Sequence, residues 1–76
     1  MATYYTIHHM SNPRSIEKIL VAICYNEQQA HACFERIVRS DVGMPYVVME
    51  RVETNTLGLI VGRTIIAEEF ANRSRD

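Results

Sequence analysis

Hydrophobic and polar positions change their period several times along this chain, and the clearest period is helical. Between Asn26 and Ser40 the apolar side chains recur on one side of a helix, at Ala30, Cys33, Phe34, Ile37 and Val38. The opposite side carries charged and polar side chains at four-residue steps, at Glu27, His31, Glu35 and Arg39. Asn26 followed by Gln29 has the form of a capping box, which marks the start of a helix. The pattern predicts one amphipathic helix with a single buried face.

Two stretches before this helix have the composition of strands. Residues 3–10 are rich in tyrosine, threonine and isoleucine and alternate loosely between polar and apolar positions, as a half-buried strand does. Residues 11–15 contain Pro13 and predict a loop. Residues 17–25 include an unbroken apolar run from Ile19 to Tyr25 that is rich in β-branched side chains. This run predicts a strand that is covered on both faces.

One alternative stays open for residues 15–25. Four apolar residues of this stretch also keep helical spacing: Ile16, Ile19, Leu20 and Ile23. Ser15 could therefore begin one long helix that ends near Ser40. Such a helix would have about 25 residues, against a usual length of about 11, and its apolar stripe would have to cross Asn26 and Glu27. The strand is the favoured interpretation.

The second half of the chain predicts a hairpin. Gly43 and Pro45 stop the helix by about Val42, because glycine closes helices and proline cannot continue them. Residues 46–53 and 57–66 are then two β-rich runs, joined by a short polar connection at residues 54–56.

Strict alternation would divide the last strand into two faces. One face would hold Leu57, Leu59, Val61 and Ile65, and the other Gly58, Ile60, Gly62, Thr64 and Ile66. The two glycines would leave room for a large group to approach. Residues 67–76 predict a strand end or a short helix that runs into a loosely ordered tail.

These elements predict an α+β protein of the ββαββ type. Residues 1–76 form one small domain, a four-stranded antiparallel sheet with one helix packed on one face. A chain of this size buries only about 60% of its unfolded surface, so a partner would add stability. The second sheet face is too apolar to be left in water, and such patches mark interaction surfaces. We expect a homodimer.

Charge and cysteine content narrow the choice of partner and compartment. The net charge is -1, with eight basic and nine acidic residues and no block of like charges. A nucleic acid or nucleotide partner stays possible but is not favoured, because the long-range attractive field is missing. The chain shows no apolar leader and no apolar run long enough for a membrane. We expect a cytoplasmic protein in which Cys24 and Cys33 are reduced, although their spacing alone does not rule out a disulfide.

No combination of residues predicts catalysis, a metal or a cofactor. The soft metal ligands are His8, His9, His31, Cys24 and Cys33. His8 and His9 should point to opposite faces of a strand, and His31 and Cys33 diverge on the helix, so they do not converge in a tetrahedron. We expect an exposed His31 and one solvated strand histidine. No nucleophile elbow or phosphate-binding loop is present, and we expect the protein not to be an enzyme.

Arginine supplies seven of the eight basic residues, and its planar fork suits interfaces. Nearby glutamates could also make these arginines ordinary solvated charges. Our candidates for partner contact are Arg51, Arg63 and Tyr46, because all three lie on the predicted hairpin. Tyr4 and Tyr5 point opposite ways, so at most one can join Tyr46 on a sheet face.

The closing hairpin also resembles that of a known family. The hairpin residues Met49, Arg51, Val52, Glu53, Thr54 and Asn55, followed by Leu57 to Val61, resemble the closing hairpin of small phage-encoded inhibitors of type I-F CRISPR surveillance complexes, the anti-CRISPR proteins. The order of elements is also similar. The resemblance implies a curved antiparallel sheet around one helix, which blocks a nucleic-acid-handling complex by occupying a protein surface. Such inhibitors often use lysines, but Lys18 is the only lysine here, so no binding residue is transferred.

Two functions from different classes follow. The first is a non-enzymatic interaction module, a phage or bacterial inhibitor or adaptor that binds a larger protein complex in the cytoplasm of the host. The second is a small nucleotide-binding or nucleic-acid-binding module, such as a sponge for a signalling nucleotide. Binding that weakens with salt would distinguish the second from the first.

Overall fold

The computed structural model describes residues 2–40 and 45–71, which form four strands and one helix. Their order is β1 (Ala2–Met10), β2 (Ile19–Cys24), α1 (Glu27–Arg39), β3 (Tyr46–Thr54) and β4 (Ile60–Phe70). All strand pairs are antiparallel, and the spatial order is β2-β1-β3-β4. The predicted α+β class, with one helix and a four-stranded antiparallel sheet, is confirmed. Strands β1 and β3 are central, and β2 and β4 are the edges.

Helix α1 begins where its capping pattern predicts. Asn26 has an extended backbone, and its side-chain oxygen accepts a hydrogen bond of 3.1 Å from the backbone N–H of Gln29. The helix ends at Ser40, whose backbone N–H donates to the carbonyls of Arg36 and Ile37. The long helix from Ser15 is wrong, because β2 occupies that stretch. The predicted stop at Gly43 lies outside the described residues.

The main core lies between α1 and the two central strands. Its buried members are Tyr5, Ile7, Ala30, Phe34, Val47 and Met49. The rest of the predicted helical stripe is partly buried against them, at Cys33, Ile37 and Val38. The helix therefore holds β1 and β3 together from one side, as its single apolar face predicts.

Strand β2 differs from its prediction. The apolar run predicts cover on both faces, but within the described part of the chain β2 pairs with β1 alone and forms an edge of the sheet. Ile19, Leu20 and Ile23 are 54%, 52% and 45% exposed. Ala22 and Cys24 pack against the core under α1. A run of apolar residues does not distinguish a central strand from an edge strand, because position in the sheet depends on distant pairing.

The turn of the β3–β4 hairpin lies later than predicted, at residues 55–59 rather than 54–56. The side-chain oxygen of Asn55 accepts hydrogen bonds from the N–H groups of Leu57 and Leu59, at 2.8 and 3.1 Å. The N–H of Asn55 donates to the carbonyl of Leu59 at 2.9 Å. Gly58 has φ +84°, a conformation that glycine adopts without steric cost. Leu57 and Leu59 are therefore turn residues, not strand residues.

Strand β4 continues through Phe70, well into the predicted tail, and contains two extra residues. Thr54 pairs with Ile60 and Glu53 with Gly62, so Val61 has no partner in the register. Met49 pairs with Ala67 and Glu50 with Ile65, so Ile66 is also extra. The strict alternation predicted for this strand is wrong, because each bulge reverses the faces beyond it. A Cβ at Gly62 would lie 3.2 Å from Oε1 of Glu53, so a side chain of the protein itself is the nearest neighbour there.

The sheet face opposite α1 is called the open face below. It carries Val48 and Val52, both almost fully buried, and a second small core of Met10, Tyr46 and Val48. Pro13, Ser15 and Lys18 of the β1–β2 loop line a cleft together with residues of this face. The loop thus covers one end of the face that the sequence predicts to be bare.

Candidate interaction surfaces

A buried carboxylate lies at the centre of the open face. Glu50 is only 5% exposed, and its two carboxylate oxygens accept hydrogen bonds from Nζ of Lys18 at 2.8 Å and from Nη1 of Arg63 at 3.0 Å. Burial alone would raise the pKa of Glu50, but the hydrogen bonds from Lys18 and Arg63 outweigh it and hold the pKa below its ordinary value. The three residues join the β1–β2 loop, β3 and β4.

The strand histidines lie on opposite faces, as predicted, because His8 pairs with Val48 and His9 with the adjacent Val47. Nε2 of His8 lies 3.0 Å from the hydroxyl of Thr6. The predicted solvated strand histidine is wrong: His9 is buried and His8 is half-buried. Burial lowers the pKa of both imidazoles. The neutral form is therefore favoured in the folded protein.

The helix histidine is exposed, as predicted. Nε2 of His31 lies 3.5 Å from Oε2 of Glu27, one helical turn away, and both side chains are about half exposed. Among residues 2–40 and 45–71, no group of three or more metal-binding side chains converges.

A small cleft of about 140 Å³ lies between the β1–β2 loop and the open face. Its lining includes Lys18, Tyr46, Glu50 and Glu68. The hydroxyl of Tyr46 donates a hydrogen bond to the carboxylate of Glu68. This hydrogen bond, with burial and the negative charge of Glu68, raises the pKa of Tyr46 to about 12. The polar groups of the cleft are thus largely paired with one another.

The three predicted contact residues do not form one group. Arg63 and Tyr46 both lie on the open face, but Arg63 pairs with Val52 and Tyr46 lies six residues away along β3, about 20 Å in an extended strand. Arg51 is adjacent to Val52 and therefore lies on the face of α1. Its Nε is 3.9 Å from Oε2 of Glu53. Tyr46 itself is buried.

The tyrosines follow the predicted division between faces. Tyr4 pairs with Val52 on the open face, whereas Tyr5 is buried in the core under α1. The ring of Tyr4 lies 6.1 Å from that of Tyr25, which is exposed. Of the two, only Tyr4 shares a face with Tyr46.

The end of the β3–β4 hairpin is an exposed surface, although the sequence predicts a strand there. We define the apolar tip as Leu57, Leu59, Ile60 and Val61, which are 46 to 80% exposed. No charged residue occurs between Glu53 and Arg63, and this gap is the sequence signal that could have located the tip. The turn hydrogen bonds of Asn55 hold Leu57 and Leu59 in place. Exposed apolar patches on soluble proteins are commonly interaction sites.

Cys24 and Cys33 are free thiols, as expected, and both pack against the core. Burial and the neighbouring Cys33 raise the pKa of the Cys24 thiol, so it is a weak nucleophile. The helix of the described residues is too short and too polar to cross a membrane.

Comparison with known proteins does not assign this chain to a family. No protein-family model matches the sequence, and no similar curated protein or solved structure was found.

Proposed function

We propose that this protein is a non-enzymatic interaction module that binds a larger protein through the apolar tip of its β3–β4 hairpin. The observation that carries this proposal is the exposure of Leu57, Leu59, Ile60 and Val61 at the end of the β3–β4 hairpin. Burial of such side chains supplies about 25 cal/mol for each Å² removed from water.

The tip has the rigidity that an anchor needs. Asn55 binds both Leu57 and Leu59 through its side chain, and the N–H of Gly58 donates to the carbonyl of Asn55 at 3.0 Å. A turn that is already ordered loses little further entropy when it binds. The tip would therefore enter a preformed apolar pocket or groove of its partner.

Two of the predicted contact residues lie close to this tip. Arg51 and Arg63 occupy opposite faces of the hairpin, near the pairing of Glu53 with Gly62. A partner that encloses the tip from both sides would reach both guanidinium groups. Tyr46 lies at the far end of β3, so a partner would have to cover the length of the open face to contact it.

The class of partner rests on the resemblance of residues 49–61 to the closing hairpin of anti-CRISPR proteins. On that basis the partner is a nucleic-acid-handling host complex of the type I-F CRISPR class, and the protein acts in the cytoplasm of a bacterial host, encoded by a phage. Its action would be to occupy a protein surface, with no reaction of its own.

The test is binding of the purified protein to a purified type I-F surveillance complex. The double variant Leu57→Asp/Leu59→Asp should weaken binding by about 100-fold or more, since interface anchors each contribute about 2 kcal/mol or more. Both side chains are exposed, so the variant should stay folded. The measurement is surface plasmon resonance, combined with inhibition of target DNA binding by the complex.

The matched control is Ile16→Asp, which replaces an apolar residue that is 94% exposed in the β1–β2 loop. This loop lies at the opposite end of the sheet, because Met10 pairs with Tyr46 whereas Ala2 pairs with Thr54. The control should bind like the wild type. Absence of wild-type binding would reject the partner class, and full binding by the double variant would reject the tip.

An oligonucleotide or a cyclic nucleotide in the same assay tests the alternative function. Binding that falls steeply as salt rises would support a nucleic-acid-binding or nucleotide-binding module in place of a protein-binding one.

A further inference from the structure

Among residues 2–40 and 45–71, strand β4 pairs with β3 alone, and its sequence is complementary to itself about its centre. Read in reverse about the midpoint between Ile65 and Ile66, the strand places the opposite charges of Arg63 and Glu68 together around an apolar centre. The facing residues would be Gly62 with Glu69, Arg63 with Glu68 and Thr64 with Ala67, with the Ile65–Ile66 steps of the two copies opposite each other at the centre. Each pair occurs twice in a two-fold arrangement, and no two like charges face each other.

The bulge at Ile66 places Arg63 and Glu68 on the same face. In a regular strand, residues five apart point to opposite faces. Here Arg63 pairs with Val52 and Glu68 with Val48, which are four apart on β3 and share the open face. The extra residue therefore brings the two charges to one side of the sheet. Without it, they could not meet across a two-fold pair of β4 strands.

Registers shifted by one residue do not place Arg63 opposite a carboxylate on the same face. A shift of one residue would place Arg63 opposite Glu69 or Ala67. Both of these pair with β3 residues on the face of α1, Val47 and Met49. Of these three registers, only the central one places Arg63 opposite a carboxylate on the same face. A bulge usually protects an edge strand from pairing, but here both copies would carry the same extra residue between Thr64 and Ala67.

The other edge offers no comparable match. Strand β2 has six residues, all apolar, and therefore no charge that could select a register. Pairing of β2 with β4 of another copy would be heterologous and would leave free edges at both ends. Pairing of β4 with β4 closes after two copies.

We propose that two copies of this chain associate through antiparallel β4 edges into one continuous eight-stranded sheet. In this dimer the guanidinium of Arg63 binds Glu50 of its own chain and Glu68 of the second copy. Exposed apolar side chains of β4, including Ile65 and Phe70, are then covered. The apolar tip itself lies outside the paired residues 62–69.

The test is a charge exchange measured by sedimentation equilibrium. The wild type should be a dimer. Arg63→Glu and Glu68→Arg each replace two attractive contacts by two repulsive ones, and each should dimerise about 10-fold or more weakly than the wild type. An equimolar mixture of the two variants should recover wild-type dimerisation, because in a mixed dimer each position 63 again faces a position 68 of opposite charge.

Recovery of dimerisation on mixing distinguishes an effect on the interface from an effect on folding. Both substitutions also alter contacts within one chain, Arg63 with Glu50 and Tyr46 with Glu68, and mixing cannot restore those. Arg39→Glu, on the exposed side of α1, is the control for a charge reversal and should dimerise like the wild type. A wild type that is monomeric at about 1 mM, or a mixture no stronger than its components, would overturn the proposal.

Hydrogen exchange on the wild type provides a measurement that needs no variant. The outward-facing amides of β4 should become more protected as protein concentration rises, while those of β2 should not. Protection that rises in β2 and not in β4 would assign association to the other edge and overturn the proposal.

Discussion

At the residue scale, Glu50 is the side chain on which the open face depends. A carboxylate that is 5% exposed is stable only when it is paired, and Lys18 and Arg63 each bind one of its oxygens. The two cations are themselves partly exposed, at 37% and 49% of the side chain. The cluster therefore connects the β1–β2 loop to the sheet. Only the carboxylate of Glu50 is buried in it.

Replacement of Glu50 by Gln should lower the free energy of unfolding by about 1–3 kcal/mol at neutral pH, because two charge-assisted hydrogen bonds are lost. The pKa of Glu50 lies below its ordinary value of 4.5. A lowered pKa means that the stabilisation is fully present above the unfolded value and is lost as pH falls through the folded value. The difference between wild type and variant should thus be constant above about pH 5 and decrease in more acidic solution.

Urea denaturation across this pH range measures the difference. Glu53→Gln is the matched control: its side chain is 47% exposed and 3.9 Å from Arg51. An exposed pair of this kind contributes about 0–1 kcal/mol, so the control should change stability little. A difference for Glu50→Gln that persists unchanged into acid would contradict the assignment of the cluster.

At the scale of elements, the β3–β4 hairpin combines a rigid turn with an irregular outer strand. The Asn55 hydrogen bonds and the positive φ of Gly58 define the turn. Two extra residues, Val61 and Ile66, then determine which side chains of β4 reach each face. Helix α1 packs against this hairpin through Phe34, which belongs to the same core as Met49.

Replacement of Gly58 by Ala should lower the free energy of unfolding by about 1–2 kcal/mol, since a Cβ disfavours the left-handed conformation at φ +84°. Replacement by Asn should cost less, because asparagine adopts this conformation more readily. No atom of the described residues lies within 4 Å of a Cβ placed at Gly58, so the two variants differ in backbone preference and not in contacts. Thermal denaturation compares them, and equal losses would contradict the turn geometry.

At the scale of the whole molecule, the sheet has an apolar edge strand, β2, a mixed edge strand, β4, and one helix. The helix covers one face, and the β1–β2 loop covers one end of the other. Strand β2 exposes Leu20 and Ile23, and an exposed apolar edge is a hazard for aggregation. Association through β4 would cover one edge and leave β2 at both ends of the larger sheet.

Replacement of Leu20 by Lys should change the free energy of unfolding by less than about 0.5 kcal/mol, because the side chain is already half exposed. The added charge should reduce aggregation during refolding, as measured by light scattering, because charged edges resist pairing. Ile7→Lys, at a fully buried position of β1, should instead unfold the protein. A large stability loss for Leu20→Lys would show that β2 is more covered than an edge strand.

Local patterns determined the elements themselves. The start and buried face of α1, the presence of four strands, the opposite faces of His8 and His9, and the exposure of His31 all follow from capping, helical period and strand alternation. Each depends on residues that are close in sequence, so the amino-acid order alone contains the information.

The tertiary structure determined which strands lie at the edges of the sheet and which side chains are buried. Pairing across the sheet made β2 an edge although its sequence resembles a central strand, and it inserted Val61 and Ile66 as bulges. It also buried Glu50 between Lys18 and Arg63 and separated Arg51 from Arg63. These features depend on contacts between residues distant in sequence, and no local period records which strand becomes the neighbour of another.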